Sequence, residues 1–103
     1  MQYEQITQED AKKIMASEND CIILDVRTPG EFASGHIQNA INIPNEAIST
    51  TEPIELSDKS QLILVYCRSG RRSKEAAKKL AKMGYTNIKE FGGIIDWKWD
   101  IVQ

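Results

Sequence analysis

Two short apolar runs constrain this chain more than any other feature. Residues 21–26, CIILDV, and 61–66, QLILVY, lack the polar alternation of a half-solvated strand and are too short for a buried helix. A strand that is apolar on both faces belongs in a sheet covered on both sides, which is the setting of a parallel sheet. The intervening segments supply the covers. Thr7 and Asp10 form a capping-box-like start, and Ala11, Ile14 and Met15 follow at helical spacing, predicting an amphipathic helix over 8–18 that Asn19-Asp20 ends. Ser73 is a candidate cap for a second helix, with Glu75 in its first turn, a stripe of Ala76, Ala77, Leu80, Ala81 and Met83, and Gly84 as its stop.

Weaker signals fill the rest. Residues 27–39 read as a loop with one helical turn, residues 40–43 as a brief strand stopped by Pro44, and residues 45–49 as a short helix leading into a polar connection. Residues 87–91 read as a weak strand, followed by Gly92-Gly93 and a tail helix bearing Trp97 and Trp99. Strands alternating with helices predict an α/β fold with about five mainly parallel strands and helices on both faces. At 103 residues the chain suits one compact domain, taken as 1–103.

Composition excludes several functions. A net charge of −2 argues against general nucleic-acid binding, and no apolar run approaches the roughly 20 residues of a membrane span. The N-terminus lacks the basic-then-apolar order of a secretory signal. Cys21 and Cys67 are too few for a disulfide scaffold, and with a single His36 the chain offers no zinc constellation. The expectation is a cytoplasmic protein with free thiols.

Against that mildly acidic background, residues 66–73, YCRSGRRS, place one cysteine among three arginines with no acid between Cys67 and Ser73. Cys67 follows the second apolar strand directly, where ligands gather at the carboxyl edge of a parallel sheet. Turning from strand to helix aims successive backbone N–H groups inward, and Gly70 permits the backbone geometry such a turn demands. The helix N-terminus adds partial positive charge, as do Arg68, Arg71 and Arg72. Thiolate is the nucleophilic form of cysteine, and surroundings of this kind favour it. The same groups would hold an anionic substrate against the sulfur.

The stretches ILDVRTPGEFASGHIQNAINIP at 23–44, YCRSGRRS at 66–73 and GGIIDW at 92–97, in this order, resemble a single-domain rhodanese over nearly the whole chain. The resemblance implies a sulfurtransferase in which Cys67 carries sulfur, while the backbone and side chains of Arg68, Ser69, Gly70, Arg71, Arg72 and Ser73 bind the donor. Its partners would be a small anionic sulfur donor, such as thiosulfate, polysulfide or a persulfide, and a thiophilic acceptor. A protein persulfide is an alternative donor or acceptor; the chain would work as a monomer without metal or organic cofactor. Two other readings stand beside it: a non-catalytic interaction module, and a small-anion phosphatase or arsenate reductase. Loop length speaks against the latter, because phosphatases of similar appearance use C-x5-R and this chain has C-x4-R, one residue too short to enclose phosphate.

Other residues have plainer readings. Cys21 reads as a small buried hydrophobe, although its pairing with Cys67 is left open by sequence. Asp25, Arg27, Glu31 and Phe32 read as a brace between loops, His36 as structural rather than a general base, and Trp97 and Trp99 as packing the tail onto the sheet.

Overall fold

The computed structural model describes residues 3–18, 20–49 and 52–103; Asn19, read above as half of a helix stop, lies outside them. Five strands form one wholly parallel sheet: β1 (Glu4–Gln5), β2 (Ile22–Asp25), β4 (Ile41–Asn42), β5 (Ile63–Cys67) and β6 (Ile88–Gly93), in the order β1-β6-β5-β2-β4. Two short strands, β3 (His36–Ile37) and β7 (Ile101–Val102), pair antiparallel apart from it.

Side-chain alternation along β2 and β5 divides the core between the two faces. Leu24, Ile63, Val65 and Cys67 point to one face, where Ala76, Ala77 and Leu80 of α3 (Arg71–Lys82) cover them. Ile23, Leu64 and Tyr66 point to the other, beneath Ala11, Ile14 and Met15 of α1 (Gln8–Ser17). Full burial of a Leu or Ile side chain contributes about 1.5–3 kcal/mol, which explains why the two apolar runs became the interior strands. Thr7 starts α1 by accepting the Asp10 N–H at 3.0 Å. Gly84 ends α3 with φ of +101°, while its N–H reaches Ala81 O and the Tyr85 N–H reaches Leu80 O, both at 3.1 Å, a Schellman closure.

Several expectations need correction. Segment 27–39 contains a full short helix, α2 (Pro29–Ser34), set by a reciprocal capping box between Thr28 and Glu31. Helix α3 begins at Arg71 rather than near residue 73, with Gly70 as its N-cap, so Ser73 lies inside the first turn and does not cap it. The tail is not a helix bearing the tryptophans. A single 3-10 turn covers Ile94–Asp96, after which Trp97 packs on Phe91 and Trp99 meets Trp97 edge-on at 4.7 Å before the chain enters β7.

Chain connectivity places the site. From β2 the chain proceeds through α2 to β4 on one side, and from β5 through α3 to β6 on the other. The crevice at the carboxyl ends of β2 and β5 is therefore the topological switch point, where open parallel sheets collect ligands.

Candidate active site

Cys67 is the last residue of β5, at that switch point, and is 1% exposed. The chain can turn sharply after it because Gly70 adopts φ of +111°, a left-handed conformation that side chains resist. This turn brings the Gly70 N–H onto Cys67 Sγ at 2.9 Å. No side chain caps α3, so the N–H groups of its first turn, at Arg71, Arg72 and Ser73, lack intrahelical partners. The sulfur at the end of β5 thus accepts the Gly70 N–H beside the positive N-terminal end of α3.

A second glycine fixes the depth of this loop. A Cβ built on Gly93 would lie 2.0 Å from Arg68 O and 2.5 Å from Ser69 Cα, so only hydrogen lets β6 and the loop approach so closely. Behind it the Ile95 N–H donates to Arg68 O at 3.2 Å. Gly93→Ala is expected to push residues 68–69 outward. A displacement near 1 Å typically costs about a hundredfold in rate, and steady-state sulfur transfer alongside a thermal melt would separate that loss from unfolding.

The three arginines take different positions. Arg68 and Arg71 are exposed and have no ion-pair partner among the described residues. Arg72 turns toward α2, where its two terminal nitrogens bind the Glu31 carboxylate at 2.7 and 3.1 Å. Glu31 is already the capping partner of Thr28, so one carboxylate ties α2 to the first turn of α3 across the crevice. The Arg72 hydrogen bond holds the Glu31 carboxyl down to about 2 from its ordinary 4.5. A lowered folded-state value means the pair stabilises the fold above the ordinary value and loses that contribution as pH falls through the lower one. The stability gap between wild type and Glu31→Gln should therefore shrink between pH 4.5 and 2, as read by urea unfolding.

Ser73 is fully buried and meets four groups. Its hydroxyl lies 3.5 Å from Cys67 Sγ, 3.0 Å from Gly70 O, 3.5 Å from Gly92 O and 2.6 Å from Glu90 Oε2. Sequence reasoning missed Glu90. It is a 2% exposed carboxylate on β6 whose Oε2 also accepts the Gly92 N–H at 2.9 Å. A charged residue between Lys89 and Phe91 reads as a solvent-facing strand position, and nothing local marks it as buried. Gly93 was equally invisible in its role, since the atoms that exclude a side chain belong to residues 68–69.

The crevice is braced from below. Asp25, fully buried, receives Arg27 Nε at 3.0 Å and Nη2 at 2.7 Å, together with the Tyr66 hydroxyl at 2.7 Å. Tyr66 accepts the Ile37 N–H at 3.1 Å, and Arg27 Nη2 donates to Gly35 O at 2.6 Å, so β2, β5 and the segment leading into β3 share one polar knot. Burial pushes the Tyr66 phenol well above its ordinary value, keeping it a donor. His36 stacks on Phe32 with ring centroids 3.7 Å apart and places Nδ1 2.9 Å from Phe32 O.

Register separates the two cysteines. Ile22 pairs with Ile63, which puts Cys21 level with residue 62 and about 16 Å along the sheet from Cys67. The sulfurs also lie with opposite core clusters, so no internal disulfide can join them. Among the described residues no group of three or more His, Cys, Asp or Glu side chains is placed to hold a metal, and no helix is long and apolar enough to cross a membrane.

Comparison with known proteins supplies the frame for this geometry. The model of the rhodanese-like domain matches residues 7–99. Thiosulfate sulfurtransferase PspE of Escherichia coli is 38% identical over 73 residues, covering 71% of this chain and 70% of that protein. A sulfurtransferase of Allochromatium vinosum is 36% identical over 96 residues, covering 90% and 86%. A solved structure described as a rhodanese with anions from E. coli superposes with a TM-score of 0.72 at 35% identity, covering 80% of this chain and 96% of that one. With its matched span taking in both the crevice and the brace beneath it, the chain belongs to the rhodanese-like domain family.

Proposed function

We propose that this chain is a sulfurtransferase that carries sulfane sulfur as a persulfide on Cys67. The observation that carries the reading is the Gly70 N–H at 2.9 Å from Sγ, within a turn whose remaining amides open helix α3. Fixed donors aimed at a sulfur anion stabilise it without reorganising during the reaction. The turn from Cys67 to Arg72 is C-x4-R, one residue shorter than the phosphatase-type C-x5-R loop, which favours sulfur over phosphate as cargo, in keeping with the names of the relatives.

The reaction takes two displacements. Cys67 thiolate attacks the outer sulfur of thiosulfate; a Cys67–sulfur bond forms, the donor's sulfur–sulfur bond breaks, and sulfite leaves with the electron pair. A nucleophilic acceptor such as cyanide or a thiolate then attacks the terminal sulfur, and Cys67 leaves as the thiolate. Arg68 and Arg71, exposed and without an ion-pair partner among the described residues, draw in the doubly charged donor, while Arg72 holds the loop through Glu31. Every group required comes from one chain, so a monomer comprising residues 1–103 as one domain suffices, in a reducing cytoplasm where acceptor thiols stay available.

Intact mass after incubation with thiosulfate tests this. Wild type should gain ~32 Da, one sulfur atom, removable by cyanide, and Cys67→Ser should gain nothing. Absence of the adduct with thiosulfate, polysulfide and a small persulfide alike would overturn the reading.

A further inference from the structure

Glu90 is a buried charge that the sulfur-transfer cycle above leaves unused. Its Oε2 takes the Ser73 hydroxyl at 2.6 Å and the Gly92 N–H at 2.9 Å, and its Oε1 takes the Gln5 side-chain amide at 3.3 Å. Each of these donors is neutral, and among the described residues no Lys or Arg forms an ion pair with it. A carboxylate 2% exposed and lacking a cation is costly to keep charged. On the far side of Ser73, 3.5 Å from the same hydroxyl oxygen, lies the Cys67 sulfur. Thiol, hydroxyl and carboxyl therefore form one continuous line.

We propose that Glu90 is the positioning residue that receives, through Ser73, the proton Cys67 gives up when it becomes a nucleophile. This rests on the reading of Cys67 as the sulfur carrier, and it adds where the proton goes. With Glu90 ionised, the 2.6 Å bond commits the Ser73 hydrogen to the carboxylate, leaving the hydroxyl oxygen to accept the Cys67 S–H. Transfer along the line moves the thiol proton to Ser73 Oγ and the hydroxyl proton to Glu90 Oε2. No electrons are lost or gained. The pair holds one proton and one negative charge before and after, so no second buried anion is created. Ser73 now carries the former thiol hydrogen, which already points to the sulfur and joins the Gly70 N–H as a donor to the thiolate, while its oxygen accepts from protonated Glu90. Glu90 never touches the sulfur, and its effect is exerted through the direction of one hydroxyl.

Other charges face this pair. Lys74 on α3, Glu9 on α1, and Asp96 and Lys98 beside the C-terminal end of β6 line the same cleft as Glu90, Lys98 being paired with Glu9 at 3.2 Å, and on the Cys67 side the Arg72 guanidinium, paired with Glu31, interacts with the sulfur. These groups are more open to solvent, whereas the sharing of one proton depends on the contacts that run from Cys67 through Ser73 to Glu90.

Two groups that share a proton titrate jointly, which a purely structural carboxylate does not imitate. The ultraviolet thiolate absorbance of Cys67, taken as wild type minus Cys67→Ala, should rise with pH in two steps separated by a plateau. In the plateau the single proton is divided between sulfur and Glu90. Glu90→Gln should merge the two steps into one. The carbon-13 shift of the Glu90 carboxyl supplies the reciprocal measurement without any change at residue 90: two steps in wild type, one in Cys67→Ala. A single thiolate step in wild type, or a Glu90 signal indifferent to Cys67, would overturn the proposal even if Glu90→Gln failed to fold. None of these readings uses a sulfur donor, so they stand apart from the persulfide test. A persulfide with one-step titration would refute the proton line alone, whereas no persulfide with two steps would refute the carrier.

Discussion

Replacing Cys67 by alanine is expected to lower sulfur transfer at least about a thousandfold while leaving the protein folded, because removal of a covalent nucleophile deletes the intermediate itself. The chain offers no substitute. Cys21 is the only other thiol, burial pushes it up from its ordinary value, and it sits at the opposite end of the sheet. Loss of one sulfur atom from the core at Cys67 should cost only about 1 kcal/mol, the typical cost of a point mutation. Cyanide-dependent consumption of thiosulfate, measured beside a thermal melt, separates the two effects. Turnover within tenfold of wild type would remove Cys67 from the chemistry.

Asp25→Ala is expected to do the reverse: to damage the fold first. Asp25 is fully buried and holds two nitrogens of Arg27, itself only 5% exposed. Truncation leaves a guanidinium with its charge unmet and deprives Tyr66 of its acceptor. Breaking a buried pair from one side costs about 3–5 kcal/mol, set against a total stability of about 5–15 kcal/mol for a domain. A companion variant sharpens the test. Replacing both members, Asp25→Leu with Arg27→Met, strands no charge and should lose less than Asp25→Ala alone. Urea unfolding of the two variants decides the matter, and a loss below about 1 kcal/mol for Asp25→Ala would contradict the arrangement described.

These outcomes draw on parts of the molecule that differed in legibility from the amino-acid order. Strands β2 and β5 were readable because a two-sided apolar strand has few other homes, and α1 and α3 because their apolar residues repeat at the helical period. The position of Cys67 at the end of an interior strand, before a helix, was readable because an apolar run precedes it and a helical stripe follows. Strand β1, Glu4–Gln5, was not, because polar residues joined to β6 through backbone leave no side-chain signature. Helix α2 had two available signals, the Thr28-x-x-Glu31 capping box and Pro29 at its first position, which Gly30 and Gly35 obscured. The expected tail helix does not form: Trp97 and Trp99 meet edge-on after a single 3-10 turn and the chain runs on into β7; no helical period marks the segment. Glu90 and Gly93 take their roles chiefly from residues more than a dozen positions away, Ser73 for one and Arg68 and Ser69 for the other, and such roles appear only once the chain has closed.

The parallel register that sets Cys21 far from Cys67 also governs what oxidants can do to this protein. A sulfenic acid formed at Cys67 has no resolving thiol within reach, so it cannot be rescued by an internal disulfide and must either wait for a thiol from outside or oxidise further. The same isolation applies to cargo. On the proposed reading of Cys67 as the carrier, sulfur loaded there cannot migrate to a second thiol in the chain, and each atom taken up must be handed to a visiting molecule at the crevice. The sheet thereby makes the protein a one-place ferry whose unloading rate is set by its callers.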